Sequence, residues 1–438
     1  MNNRSSLVDK YYFLWALVMP VTSVLVVPSI QGTTPGYLLC FLSLPLVLLY
    51  GGAGRGRYSS FLFAAILVWI MLFLLAQLAD VTVATEPDLA KVELVDGTDT
   101  GTFVMRISMF TQSIYLAAVV LYGAYIYVFY KPSWDRWLLA AGTFYALYGM
   151  YEVAYFAVTG QSGDFVSNRT FGDTFGMVRP DGTVGGSAFQ ITDIGGYTMA
   201  RLKSLTGEPS MYSLTMLPFW IYFSSRTKSR WPLWIIGASL ILTTSTSALI
   251  GYLCYLAIRM RKLEIKPLRL VLGFVALLVV SYVARHAIAD FYQVVILDKL
   301  DGRGESGVER SGLFWSSFEM WQDGSLANQL FGVGFGYIRS TDLFSTLLVN
   351  TGVVGTLIFT VIMLYPAFKL DWEPQGIALR QCCVAIWVMT MISVPEFSYL
   401  APWTFVAIAY SRLYQMRRAV QQPEWAPLRS RSARRVSR

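Results

Sequence analysis

Tyr58–Ala79 reads YSSFLFAAILVWIMLFLLAQLA, an uncharged run of 22 residues. As a helix it is long enough to cross the roughly 30 Å hydrocarbon core of a bilayer. Lipid offers no hydrogen bonds to backbone N–H and C=O groups, so a spanning segment must be a helix or part of a closed barrel. The apolar residues here are continuous rather than alternating, which excludes the barrel. Similar runs of about 15–24 residues recur from end to end of the 438-residue chain. Composition agrees: 55% of residues are apolar, 14% are charged, and mean hydropathy is +0.49. The chain reads as an all-α, polytopic integral membrane protein with a single transmembrane domain over 1–438.

About twelve spans are expected, near 11–30, 36–50, 58–79, 107–130, 137–159, 211–224, 231–244, 246–258, 268–286, 343–366, 381–394 and 399–415. The 231–258 stretch is divided because Thr243–Ser247 (TTSTS) is polar and basic residues flank both of its sides. Two short spans keep both basic clusters on the same side. With both termini cytoplasmic, 24 of the 35 Lys and Arg fall on inner segments, as the positive-inside rule requires. The net charge of +8 therefore follows topology and does not indicate nucleic acid as a partner. The basic tail, 416–438, ending in RSRSARRVSR, suits anionic lipid at the inner leaflet. Arg4 and Lys10 precede an apolar run longer than a signal-peptide core, so a retained first span is expected. All four cysteines fall in or at the edges of spans, so no disulfide is expected in an outer loop. The one histidine, His286, reads as interfacial, and no Cys/His spacing suits a metal.

Two large extracytoplasmic loops follow, 160–210 and 287–342. A shorter acidic one, Asp80–Arg106, reads as solvated spacer. The 160–210 loop interleaves glycines with aromatics, contains Arg169 and Arg179, and ends in RLKSLTGEPS (201–210). Pro209 suits the first turn of the next helix, with Ser210 or Thr206 as its cap and Glu208 favoured at its positive end. The 287–342 loop carries Arg303, Arg310 and Arg339. Within it Phe314, Phe318 and Trp321 recur at helical spacing, an amphipathic helix for the outer interface. A glycine-rich turn, FGVGFG (331–336), follows. Asp342 then opens a span in which Gly352 and Gly355 favour close packing. Glu152 lies deep in the fifth span, where an ionisable group is costly. Pairing with Arg106 and lining a ligand groove are both open to it.

The order Arg310…GVGFG (332–336)…Asp342…GVVG (352–355), after a large outer loop, resembles the bacterial O-antigen polymerase/ligase superfamily. Arg201…GEPS (207–210) resembles a segment carried by many polysaccharide polymerases of that superfamily. In the ligase branch a His-Asn pair stands where Thr341-Asp342 stand here, and Asp at this place is closer to polymerases. The resemblance implies a GT-C-like glycosyltransferase of the bacterial inner membrane, with its active site facing the periplasm. Its substrate would be undecaprenyl-pyrophosphate-linked oligosaccharide repeat units, with membrane lipids and a chain-length regulator as partners. A ligase moving polymer to another acceptor, or a transporter of the same lipid-linked saccharide, remains an alternative. The implied leaving group is a pyrophosphate, which guanidinium groups bind bidentately. Arg201 and Arg310 lead the substrate-binding candidates, joined by Arg169, Arg179, Arg303, Arg339, Lys203 and Glu152. Glu208 and then Asp342 are the candidate catalytic carboxylates. Arginines can take the place of a divalent cation, so neither metal nor other cofactor is expected.

Overall fold

The computed structural model describes residues 7–81, 92–97, 104–169, 190–194, 197–260 and 305–421. Among these the chain forms thirteen α-helices and a two-stranded hairpin. They are α1 (Leu7–Val18), α2 (Pro35–Tyr50), α3 (Arg55–Val81), α4 (Ile107–Phe129) and α5 (Asp135–Thr159). The antiparallel hairpin β1 (Ile191–Ile194) and β2 (Tyr197–Ala200) follows, a feature unread in a loop expected to be irregular. Next come α6 (Pro209–Ser224), α7 (Trp231–Leu242), α8 (Thr246–Met260), α9 (Glu305–Asp323) and α10 (Leu326–Phe331). The chain closes with α11 (Leu343–Lys369), α12 (Pro374–Ile392) and α13 (Leu400–Gln421). Each expected span on described residues contains helix; the one near 268–286 lies outside them.

Four helical segments, Gly52–Val81, Ile107–Phe129, Leu343–Lys369 and Pro374–Ile392, are long and apolar enough to cross a membrane. Their outward faces carry bare apolar side chains such as Phe63, Leu78 and Val361. Such continuous apolar surface suits lipid and would promote aggregation in water. At the centre stands α6, apolar all round and buried on nearly every side from Met211 to Phe223. It packs against α7, α8, α12 and α13. One end of the bundle is marked by the ion pairs Lys131–Asp9 (2.7 Å), Arg226–Asp135 (2.9 Å) and Arg412–Asp371 (2.6 Å). Partly exposed pairs of this kind add little stability singly, but they gather the helix ends that carry most of the described basic residues.

The first expected span is helical only to Val18. Pro20 cannot supply an N–H and disfavours helix at the residue before it. The chain beyond runs irregularly and is held by other loops: Thr22 and Ser23 donate backbone N–H groups to Leu205 O (3.0 and 3.2 Å), and Asn168 N–H donates to Ser23 O (3.1 Å). The helical pattern across 231–260 does break, at Thr243–Ser245 between α7 and α8.

The glycine-rich turn has a specific backbone task. Inside α11, Gly352 adopts φ +63, ψ −170 and kinks the helix. The carbonyls of Val349 and Asn350, just before the kink, accept from Val333 N–H (2.9 Å) and Gly334 N–H (3.0 Å) of the turn. A Cβ on Gly352 would lie 2.3 Å from the Leu330 carbonyl carbon, and one on Gly332 2.4 Å from that of Asn350. These glycines therefore let α10 and its turn abut α11, rather than a neighbouring helix. Gly352→Ala is expected to lose about 2 kcal/mol or more, from strained backbone plus the forced shift. Thermal unfolding of the detergent-solubilised protein, followed by gel filtration, checks this; an unchanged midpoint would contradict it.

The acidic loop after α3 is not solvated spacer where it is described. Leu94 bridges Ile338, Arg339 N–H donates to Glu93 O (2.9 Å), and Val95 N–H donates to Tyr337 O (3.2 Å). Below it, Asp80 is buried and accepts from Asn328 Nδ2 (2.8 Å) and Gln77 Nε2 (3.2 Å). The expected amphipathic helix is α9, with Phe314, Phe318 and Trp321 in successive ring contact.

Candidate active site

At the end of the bundle opposite the ion pairs lies a cavity of about 710 Å³. Its walls come from segments far apart in sequence: the stretch before α2, the 92–97 loop, the start of α4, Arg169, the entry to α6, the 335–347 region and the 393–398 turn. The first turns of α2, α4, α6 and α11 all contribute lining residues, and α13 begins just beyond the 393–398 turn. Helix starts carry unsatisfied N–H groups and the positive end of the dipole, so their convergence favours an anion.

Three of the ten residues singled out from sequence meet here: Arg169, Glu208 and Arg339. Arg169 is aimed by donations to Gln31 Oε1 (3.2 Å) and Thr22 O (3.1 Å). Arg339 forms an ion pair with Glu396 across the cavity wall, yet its side chain keeps 48% of its exposure. Glu396 holds this guanidinium above its ordinary pKa, so it stays charged. Glu208 occupies the N-cap position of α6, where Pro209 opens the helix as expected, but its carboxylate makes no cap bond. Neither Ser210 nor Thr206 caps α6. Thr206 Oγ1 donates to Lys203 O (2.6 Å), and Ser210 Oγ contacts Glu208 Oε2 (3.4 Å).

Four others lie elsewhere. Asp342 is buried as the N-cap of α11, accepting from Ser345 N–H (2.8 Å) and Ser345 Oγ (2.6 Å). Burial raises its pKa, and the serine hydrogen bonds oppose that rise. Its neighbours Ser340, Thr341 and Leu343 line the cavity, but Asp342 does not. Arg201 closes the end of α7, donating through Nε to Thr243 O (3.2 Å) and Thr244 Oγ1 (3.0 Å), and through Nη1 to Gln190 Oε1 (2.6 Å). A cation there complements the helix C-terminal carbonyls.

Lys203 and Glu152 belong to one buried cluster. Lys203 contacts Asp164 directly and Glu152 at 3.8 Å, while Ser204 N–H donates to Glu152 Oε2 (2.9 Å). All three ionisable groups are less than 10% exposed. Burial alone would raise the pKa of Asp164, but the Lys203 ammonium and the Ser167 N–H hold it below the usual carboxylate range. Glu152 thus pairs with Lys203 and not with Arg106, which instead donates to Asp96 O (2.8 Å) and lies over the Tyr337 ring. Arg201 and Lys203 together anchor the strand-and-turn segment that carries Glu208 to the cavity. Arg179 and Arg303 lie outside the described residues, and Arg310 is described only as part of the backbone of α9.

Sequence reasoning passed over Glu396 and the polar face of α4. Glu396 sits in SVPEFS (393–398), a short turn between helices whose acid had no visible partner. Ser108, Thr111, Gln112 and Tyr115 recur at i, i+3, i+4 and i+7 in an otherwise apolar span, a spacing that marks one face.

The chain matches no known protein-family model, and no curated protein matches it.

Proposed function

We propose that this chain is a polysaccharide polymerase: a glycosyltransferase joining undecaprenyl-pyrophosphate-linked oligosaccharide units within this cavity. The observation that carries the reading is the meeting of Arg169, Arg339, Glu208 and Glu396 in one cavity at the non-basic end of an apolar bundle. Under the positive-inside rule the basic end is cytoplasmic, so the cavity opens outward. With about twelve spans in a bacterial inner membrane, that face is periplasmic, the side on which the two large loops are expected. The order of motifs that resembles the O-antigen polymerase superfamily supports the same reading.

In the reaction, the bond from the anomeric carbon to the pyrophosphate oxygen breaks, and its electron pair leaves with the pyrophosphate. Arg169 and Arg339, aided by the converging helix starts, stabilise that growing negative charge. An acceptor hydroxyl oxygen forms the new bond to the anomeric carbon, and its proton passes to the Glu208 carboxylate. Glu396 keeps Arg339 oriented and charged. Arg201, Lys203 and Glu152 act at one remove, by fixing the segment that delivers Glu208.

Deleting the gene from its source bacterium tests this directly. The expected result is loss of long-chain surface glycan, with single repeat units still transferred or accumulating on the lipid carrier. Finished polymer stranded on the carrier would make the protein a ligase. Units trapped on the cytoplasmic face would make it a transporter, and an unchanged glycan would overturn the proposal.

A further inference from the structure

One wall of the cavity carries no charge. Along α4, Ser108, Gln112 and Tyr115 lie four, then three residues apart and all line it. Ser108 is 3% exposed, and its hydroxyl has no hydrogen-bond partner among the described residues. The Gln112 amide and the Tyr115 hydroxyl likewise make no hydrogen bond there, and the Tyr115 ring leans on Tyr37 at 5.7 Å between centroids. A buried polar atom without a partner costs about 1–3 kcal/mol. Ser108 bears that cost, and the half-buried Gln112 and Tyr115 put two more polar groups on the same face of a helix otherwise apolar enough to cross a membrane. Their unused capacity points to a ligand. The chemistry they offer is neutral: two hydroxyls and an amide, each able to donate and accept, beside aromatic surfaces from Tyr37 and Phe335. Phosphate would call for cations, and an apolar chain would leave all three unsatisfied. A polyhydroxylated ring satisfies them.

We infer that Ser108, Gln112 and Tyr115 form a saccharide-recognition wall, which reads one neutral sugar of the substrate and sets it against the charged wall of Arg169, Glu208 and Arg339. The ligand class rests on the glycosyl-transfer reading, while the site itself rests on the unpartnered groups of α4. Ser108, Gln112 and Tyr115 bring no carboxylate or cation of their own, so the wall governs which saccharide is accepted rather than the bond-making step.

The test uses the full chain in nanodiscs and, as probe, the free repeat-unit oligosaccharide released by mild acid from the source organism's lipid carrier. Saturation-transfer NMR gives its affinity for wild type, Gln112→Leu, Ser108→Ala and Tyr115→Phe. Loss of one neutral hydrogen bond predicts affinity weaker by about fivefold in each, with the strongest saturation on ring protons of a single sugar. Ser108→Ala and Tyr115→Phe each remove one hydroxyl and no bulk, so they report even if Gln112→Leu fails to fold. No binding by wild type, or affinities within about twofold of wild type in all folded variants, overturns the inference. Weakened binding in the variants, with no transfer by wild type, upholds the wall and sinks the transferase. Transfer intact, with binding indifferent to all three substitutions, sinks the wall alone.

Discussion

Lys203→Met is expected to leave little folded protein. The ammonium of Lys203 is 3% exposed and stands between two buried carboxylates, in contact with Asp164 and 3.8 Å from Glu152. Methionine fills much of the same space but neutralises neither acid. Breaking a buried ion pair by removing one partner costs about 3–5 kcal/mol, because the remaining charge stays desolvated. That is a large share of the roughly 5–15 kcal/mol by which most proteins are stable. Thermal unfolding in detergent is the readout, with Lys203→Met/Asp164→Asn alongside. The double variant should recover much of the loss, since one of the stranded charges is gone. A single variant melting with wild type would show that the cluster is not buried as described.

The same cluster sets a pH dependence whose sign follows from Asp164. Its pKa in the folded chain is below the unfolded value of about 3.9. It therefore contributes stability that is present above that value and is lost as pH falls through the lower, folded-state pKa. Wild type should weaken on acidification below about pH 4, and Lys203→Met should weaken less steeply over that window.

Glu208→Gln is expected to reduce transfer by two to four orders of magnitude while leaving the fold intact. Removing a positioned general base typically costs about 10²–10⁴ in rate. The fold should survive because the carboxylate makes no cap bond to α6, and glutamine keeps its shape and can still accept from Ser210. The defect should appear in the catalytic rate more than in the affinity for the lipid-linked donor, whose pyrophosphate Arg169 and Arg339 would hold under the proposed mechanism. Glu396→Gln separates the two carboxylates. By loosening Arg339 it should weaken donor binding first, so equal rate losses in both variants would argue against assigning the base to Glu208 alone.

Local signals were legible in the chain and non-local ones were not. The helices could be read because hydropathy accumulates over neighbours, and the break between α7 and α8 because TTSTS interrupts it. Arg169 and Arg339 could be named because basic residues are uncommon in outer segments, and Glu208 because it stands before Pro209 at a helix start. What eluded reading depended on distant partners. Lys203 finds Glu152 from 51 residues away, so its role in the fold was hidden behind its charge. Asp342, named for its place in a motif, was also read locally, since it opens α11 as its N-cap. The acidic stretch near Glu93 looked like spacer until Ile338 and Arg339 supplied its backbone partners. Pro20 was the local clue that α1 ends early, and continuous hydropathy outweighed it.

We propose that saccharide transfer occurs in the cavity that joins Arg169, Glu208 and Arg339. Its most direct measurement is polymer formation by purified protein in liposomes supplied with lipid-linked repeat units, wild type beside Glu208→Gln and Arg339→Gln. The expected result is a ladder of products with wild type and none above background with either folded variant. A ladder of undiminished rate from both variants would place the chemistry elsewhere in the molecule, and no ladder from folded wild type would remove the transferase itself.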